Sequence, residues 1–172
     1  MGEEGVWNDG KITLMAKLVP GVDYDDRVKS IRRAYVYGTP KQRLSKIRQR
    51  LNDQDFGPSR LVTIVSGVEA FARSLLINHL SKSKSDIEIL YTQYKREGPE
   101  FLVEKYLEQL GQTNPSVFLK EDNWTLFKYA IEYRNMVVHE CTFVGLDISP
   151  SLINACQEIL DILGNLNQCR LP

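Results

Sequence analysis

The longest apolar stretch of the sequence reads SRLVTIVSGVEAFARSLLINHL, from Ser59 to Leu80. Its apolar side chains recur at the spacing of an α-helix, and Ser59 is a favoured residue type at a helix N-cap. No other segment carries so many apolar residues at this spacing. The sequence therefore predicts that a helix over 59–80 forms the centre of the fold.

Shorter helical patterns lie on both sides of this segment, separated by turns. The segments predicted to be helical are 23–37, 40–51, 86–96, 99–110, 124–139 (capped by Asp122 or Asn123) and 149–166. The clearest break in the chain reads DQDFGP, at 53–58. The pattern predicts an all-α, up-and-down helical bundle over 59–172.

The N-terminal part of the chain, residues 1–58, is predicted to be an extension that is helical from about residue 23. Its first 22 residues are ambiguous, because Ile12, Leu14, Ala16 and Leu18 alternate like a short strand. How this extension packs on the bundle does not follow from its sequence.

Composition and charge narrow the functions that the chain can have. The formal net charge is zero, so a polyanion must be bound by a local patch rather than by the field of the whole protein. No stretch is expected to span a membrane, and Glu3 and Glu4 stand where a secretory signal would be basic. The three cysteines show no metal-ligand spacing, and no cofactor-binding motif is present. These features favour a cytoplasmic protein with free thiols and without a metal or cofactor.

Two charged residues fall on helix faces that should be apolar. On a helical wheel Arg134 lies among Phe127, Ala130, Ile131 and Val138, and Glu69 lies in the middle of the apolar stripe of 59–80. Because an unpaired buried charge is costly, we predict that Glu69 and Arg134 meet between packed helices, with Arg73 joining them. The alternative is that each long side chain reaches solvent independently.

A second group of polar residues adjoins Arg134. Asn135 and His139 are four residues apart, so they meet on one helix face, and the three side chains span an arc of about 140°. A permanent cation, an amide and a titratable imidazole can together bind a phosphate and transfer a proton. The alternative is structural: His139 interacts with the dipole at the helix end, beside an arginine that is bound to a carboxylate.

A basic segment lies upstream of the core helix. Residues 27–52 contain nine Lys and Arg and no acidic residue. They could guide an RNA backbone, with Arg32, Arg33, Lys41, Arg43 and Lys46 as candidate contacts. The alternative is a solvated basic face that is balanced by acidic residues elsewhere.

The segment Arg134–His139, RNMVVH, resembles the Arg-x4-His motif of the HEPN (higher eukaryotes and prokaryotes nucleotide-binding) superfamily. The apolar helix that contains Val-Glu-Ala-Phe at 68–71 is similar to an early bundle helix of several HEPN families, in which an acidic residue faces the site. The resemblance covers residues 59–165. Where some toxin members have a tyrosine two residues after the motif histidine, this chain has Cys141, which puts regulation through such a tyrosine in doubt.

The resemblance implies a helical bundle that forms a homodimer and cleaves RNA without a metal ion. His139 would be the general acid/base, Arg134 would stabilise the transition state, Asn135 would position the phosphate or His139, and Glu69 would hold Arg134. Many members act in toxin–antitoxin, antiphage or RNA-processing systems, so an antitoxin or other neutralising partner is an expectation. Other members are inactive, so the alternative is a non-catalytic module that binds a nucleotide, RNA or a partner protein.

Overall fold

The computed structural model describes residues 7–8, 11–12, 21–52, 58–141 and 147–168. Within these ranges the helices are α1 (Tyr24–Tyr37), α2 (Pro40–Asn52), α3 (Pro58–Leu80), α4 (Lys84–Tyr94), α5 (Pro99–Gln109), α6 (Pro115–Phe118), α7 (Glu121–Glu140) and α8 (Ser149–Gln168). Two short strands, β1 (Trp7–Asn8) and β2 (Lys11–Ile12), pair antiparallel with Trp7 opposite Ile12. The other residues of the expected strand, Leu14, Ala16 and Leu18, lie outside the described residues.

The all-α helical bundle predicted from the sequence is confirmed, with α3 at its centre. Helix α3 packs against α2, α4, α5, α7 and α8. Its side chains at Leu61, Ile64, Val65, Val68 and Phe71 are fully buried. Helix α3 therefore contacts five of the other described helices.

Helix α3 is also long and apolar enough to cross a membrane, judged by length and composition alone. Length and composition alone do not contradict the expectation that no stretch spans a membrane, because the core helix of a soluble protein can meet the same test. In its most apolar window, 61% of α3 is buried inside the protein. Such burial is typical of the core helix of a soluble protein.

The chain divides into two compact units, Met1–Tyr35 and Val36–Pro172. Helix α2 belongs to the second unit, although the sequence analysis assigns residues 40–51 to the extension. Its Leu44, Ile47 and Leu51 are buried in the same core cluster as the residues of α3. The bundle core thus includes α2.

Helices α2 and α3 approach each other closely at Gly67. A Cβ atom at this position would lie 2.8 Å from Cγ2 of Ile47, which is itself buried. We expect Gly67→Ala to lower the free energy of unfolding by about 1–2 kcal/mol, because overpacking outweighs the better helix propensity of alanine. Urea denaturation checks this, with Gly164→Ala as the control, since the atom nearest to a Cβ there is the end of the flexible Leu44 side chain, at 3.1 Å. An equal effect of both changes would contradict the close approach.

Some helix ends differ from the prediction. Helix α4 begins two residues early because Ser83 and Asp86 form a capping box, in which hydrogen bonds from the Lys82 backbone and from Ser83 lower the pKa of Asp86. Helix α7 begins at Glu121 after Lys120, so the prediction that Asp122 or Asn123 caps it was wrong. The Asn123 amide instead donates to Glu158 of α8 at 2.6 Å and lowers the pKa of that carboxyl.

Lys120 has an unusual backbone conformation, with φ 68° and ψ 136°. Residues with a Cβ are strained there, at a cost of about 1–3 kcal/mol, whereas glycine is not. We expect Lys120→Gly to raise the free energy of unfolding by about 1 kcal/mol, because this relief exceeds the entropy cost of glycine. Lys120→Ala is the control in thermal denaturation: it also removes the exposed ion pair with Glu158 at 3.5 Å but keeps the strain. A glycine variant no more stable than the alanine variant would contradict the interpretation.

Candidate functional site

Helices α3 and α7 bring Glu69 and Arg134 together. Oε2 of Glu69 lies 3.8 Å from Nη2 of Arg134, and the two side chains are 22% and 24% exposed. The ion pair predicted from the two helical wheels is therefore present, and the alternative of two independent, solvated side chains is wrong. The pair lies at the edge of the core, where it is partly shielded from water.

Arg73 joins this pair through the same carboxylate. Its Nη2 donates to Oε1 of Glu69 at 2.6 Å, while Nε and Nη2 donate to the backbone carbonyls of Tyr94 and Glu97 at 3.1 and 3.2 Å. Tyr94 is the last residue of α4, where backbone carbonyls lack helical partners. Arg73 thus links α3 to the end of α4 and fixes the orientation of the Glu69 carboxylate.

The guanidinium of Arg134 makes a second contact, within its own helix. Its Nη1 donates to Oδ1 of Asn135 at 3.0 Å. Its Nε is buried and has no hydrogen-bond partner among the described parts of the chain. Since a guanidinium has five N–H donors, several remain for an anion that approaches the accessible part of Arg134.

His139 and Asn135 are both exposed on the carboxyl half of α7. His139 lies one turn beyond Asn135, and about 7.5 Å along the axis from Arg134. Helix α7 ends one residue later, at Glu140, and Cys141 follows in the left-handed conformation. The imidazole is therefore open to solvent and to any large ligand that reaches this end of α7.

The exposure of Val138 differs from the helical-wheel prediction. It was expected on the apolar face with Phe127 and Ala130, but it is 46% exposed. The buried residues of α7 end at Ala130, so its later turns lie at the margin of the core. This position explains why Arg134 is only partly buried and why the polar residues after it are accessible.

Two of the five basic candidates line one groove. Arg43 and Lys46 of α2 line a groove of about 400 Å³ against α3, together with Arg50. Lys41 does not line this groove, and Arg32 and Arg33 are exposed on α1 within the first unit. Arg50 was not among the predicted RNA contacts, although its spacing from Arg43 and Lys46 (i, i+3, i+7) places all three on one helix face.

Other chemistry-bearing residues are dispersed. No group of three or more His, Cys, Asp or Glu within the described ranges could hold a metal ion. Cys156 is buried in the core, which raises the pKa of its thiol, whereas Cys141 is exposed. The third cysteine, Cys169, lies outside the described residues.

Comparison with protein-family models, with curated proteins and with solved structures finds no match to this chain.

Proposed function

We propose that the protein is a metal-independent endoribonuclease of the HEPN type, with its active site on the carboxyl half of α7. The observation that carries the proposal is the ion pair between Glu69 and Arg134, at 3.8 Å. It holds a cation on the same helix as the exposed His139, with Asn135 between them. Arg73 is a positioning residue, because it orients the Glu69 carboxylate that pairs with Arg134.

The chemistry follows from these side chains. His139 accepts the proton of a ribose 2′-hydroxyl while the 2′ oxygen attacks the adjacent phosphorus. The bond between phosphorus and the 5′ oxygen breaks, and the imidazolium of the protonated His139 donates a proton to that leaving oxygen. Arg134 stabilises the added negative charge on the phosphate oxygens, and Asn135 orients the phosphate or the ring. The products are a 2′,3′-cyclic phosphate and a 5′-hydroxyl, and no step requires a metal ion.

An exposed site at a helix end is well suited to completion by a second copy of the chain. We propose a homodimer in which two copies of the Arg134–His139 segment face one cleft, as the HEPN resemblance implies. In the same proposal the enzyme acts in the cytoplasm, in a toxin–antitoxin or antiphage defence system, and is neutralised by a partner protein or antitoxin. RNA is the substrate, and no membrane is involved.

The decisive experiment is cleavage of end-labelled RNA by the purified protein in excess EDTA. We expect cleavage with 2′,3′-cyclic phosphate ends, and no cleavage of DNA of the same sequence, because DNA lacks the 2′ nucleophile. Cleavage that stops in EDTA, or that also occurs in DNA, would contradict the mechanism.

One observation favours a second candidate, a non-catalytic module that binds a nucleotide, RNA or a partner protein. Arg134 is 24% exposed and already contacts both Glu69 and Asn135, as a purely structural cation would. If several RNAs of different sequence all remain intact in the cleavage assay, this candidate replaces the first.

A further inference from the structure

The groove between α2 and α3 has the charge pattern of an anion-binding site. Its lining includes the cations Arg43, Lys46 and Arg50 and the hydroxyls of Thr63 and Ser66, and it contains no acidic residue. In a protein with equal numbers of basic and acidic residues, a concave surface with three cations and no acid gives a local positive potential.

Two of these cations have no acidic partner among the residues that the structure describes. Lys46 and Arg50 are exposed and form no ion pair with the described residues. Arg48, on another face of α2, shows the contrast, since its Nη2 lies 3.1 Å from Oδ1 of Asp161 in α8. Helix α2 thus uses one basic side chain to pack on α8 and directs others into the groove.

Along α3, residues that line the groove lie next to Glu69 in the sequence. Ser66 and Ala70 line it, and Glu69, which pairs with Arg134, lies between them in the sequence. Ser66 and Glu69 are about 4.5 Å apart along the helix axis, which is less than the spacing of adjacent phosphates in an extended strand. Glu69, the partner of Arg134, therefore lies within one helical turn of two residues that line the groove.

We propose that this groove, defined by Arg43, Lys46, Arg50, Thr63 and Ser66, binds the phosphodiester backbone of single-stranded RNA and guides it to Arg134. The inference rests on the proposed function for the choice of RNA as ligand. Cations bind phosphates without reading bases, and hydroxyls donate to phosphate oxygens. The groove therefore contributes affinity but neither base specificity nor discrimination between ribose and deoxyribose.

The test measures fluorescence anisotropy of a labelled 2′-O-methyl oligouridine, which cannot be cleaved, at several salt concentrations. The variant is Lys46→Gln/Arg50→Gln, and the control is Lys82→Gln/Lys95→Gln, which removes two exposed cations elsewhere. Each phosphate contact to a single strand contributes about 0.7 to the slope of log K against log salt, so the loss of two contacts should make this slope shallower by about 1.4. If the two proteins bind equally at 1 M salt, the variant should bind about 25-fold more weakly at 0.1 M salt. We expect the control to stay within about twofold of wild type.

The proposal that the groove binds RNA would be contradicted by an equal loss of affinity in both variants, by no loss in either, or by no binding to the wild-type protein. A deoxyoligonucleotide of the same length should lose affinity in the groove variant by the same factor, and retention of its binding would contradict a backbone contact. Inorganic phosphate should compete only weakly, and full competition by it would instead indicate a site for a small anion. Folding is intact if the melting temperatures of both variants lie within about 2–3 °C of wild type. A shift of this size corresponds to a loss of less than about 1 kcal/mol in the free energy of unfolding.

The outcome for the groove is independent of the outcome for catalysis. If the wild-type protein binds the oligonucleotide through the groove but leaves unmodified RNA intact, the proposed ribonuclease function is contradicted, whereas RNA binding by the groove is supported. If RNA is cleaved but the groove variant binds the oligonucleotide as tightly as wild type, RNA binding by the groove is contradicted, whereas the proposed ribonuclease function is supported.

Discussion

His139→Ala should lose RNA cleavage by about 10²–10⁴-fold while the protein stays folded. Histidine is the side-chain type best suited to general acid/base catalysis, and His139 stands at the exposed end of α7. It is exposed, so its removal leaves no cavity in the core. Initial rates on an end-labelled RNA in EDTA measure the loss, and far-ultraviolet circular dichroism with thermal denaturation checks the fold.

The chain offers a matched control for this variant, because it has only two histidines. His79 lies in the last turn of α3, where its ring contacts Tyr106 edge-on with centroids 6.4 Å apart. His79→Ala should cleave RNA at the wild-type rate. Equal residual cleavage in both histidine variants would show that the activity does not depend on the α7 site.

Glu69→Gln has the second-largest expected effect, and it acts on stability as well as on activity. The change leaves Arg73 and Arg134 beside each other without the carboxylate that both contact. Breaking a fully buried ion pair costs about 3–5 kcal/mol, but Glu69 and Arg134 are partly exposed, so we expect a loss of about 2 kcal/mol. Urea denaturation should show a lower midpoint with an unchanged m-value. Cleavage should also fall, because Arg134 loses its anchor.

Two further variants show whether this loss comes from the pair. Glu132→Gln removes the same charge from an exposed position of α7 and should change stability by less than about 0.5 kcal/mol. Arg134→Met completes a double-mutant cycle with Glu69→Gln. The double variant should lose less free energy of unfolding than the sum of the losses in the two single variants. Strict additivity would mean that Glu69 and Arg134 do not interact in solution.

The sequence predicted the Glu69–Arg134 pair because both residues lie in long helices with strong apolar stripes. At 100° per residue a charge within such a stripe points toward the core, and the cost of burial requires a partner for it. The acceptors of Arg73 did not follow from the same reasoning. The carbonyls of Tyr94 and Glu97 reach Arg73 only because the end of α4 returns to α3, which depends on the length of the intervening turn.

Three other features depend on tertiary packing rather than on local pattern. Val138 has the right wheel position for burial, but the core ends before it along α7. Lys120 precedes α7 with a positive φ that no lysine prefers, whereas the sequence favours capping by Asp122 or Asn123. The basic groove lies where Gly67 lets α2 approach α3, and the charge count of 27–52 did not separate its cations from the paired Arg48.

The central claim is that the guanidinium of Arg134 and the imidazole of His139 bind the same phosphodiester. The most direct test is a nitrogen-15 nuclear magnetic resonance titration of both side chains with a 2′-O-methyl oligonucleotide that cannot be cleaved. We expect the Nε resonance of Arg134 and the ring nitrogens of His139 to shift together, with one saturation curve, while His79 stays unchanged. Shifts of only one of the two side chains, or shifts that saturate at different concentrations, would contradict the claim.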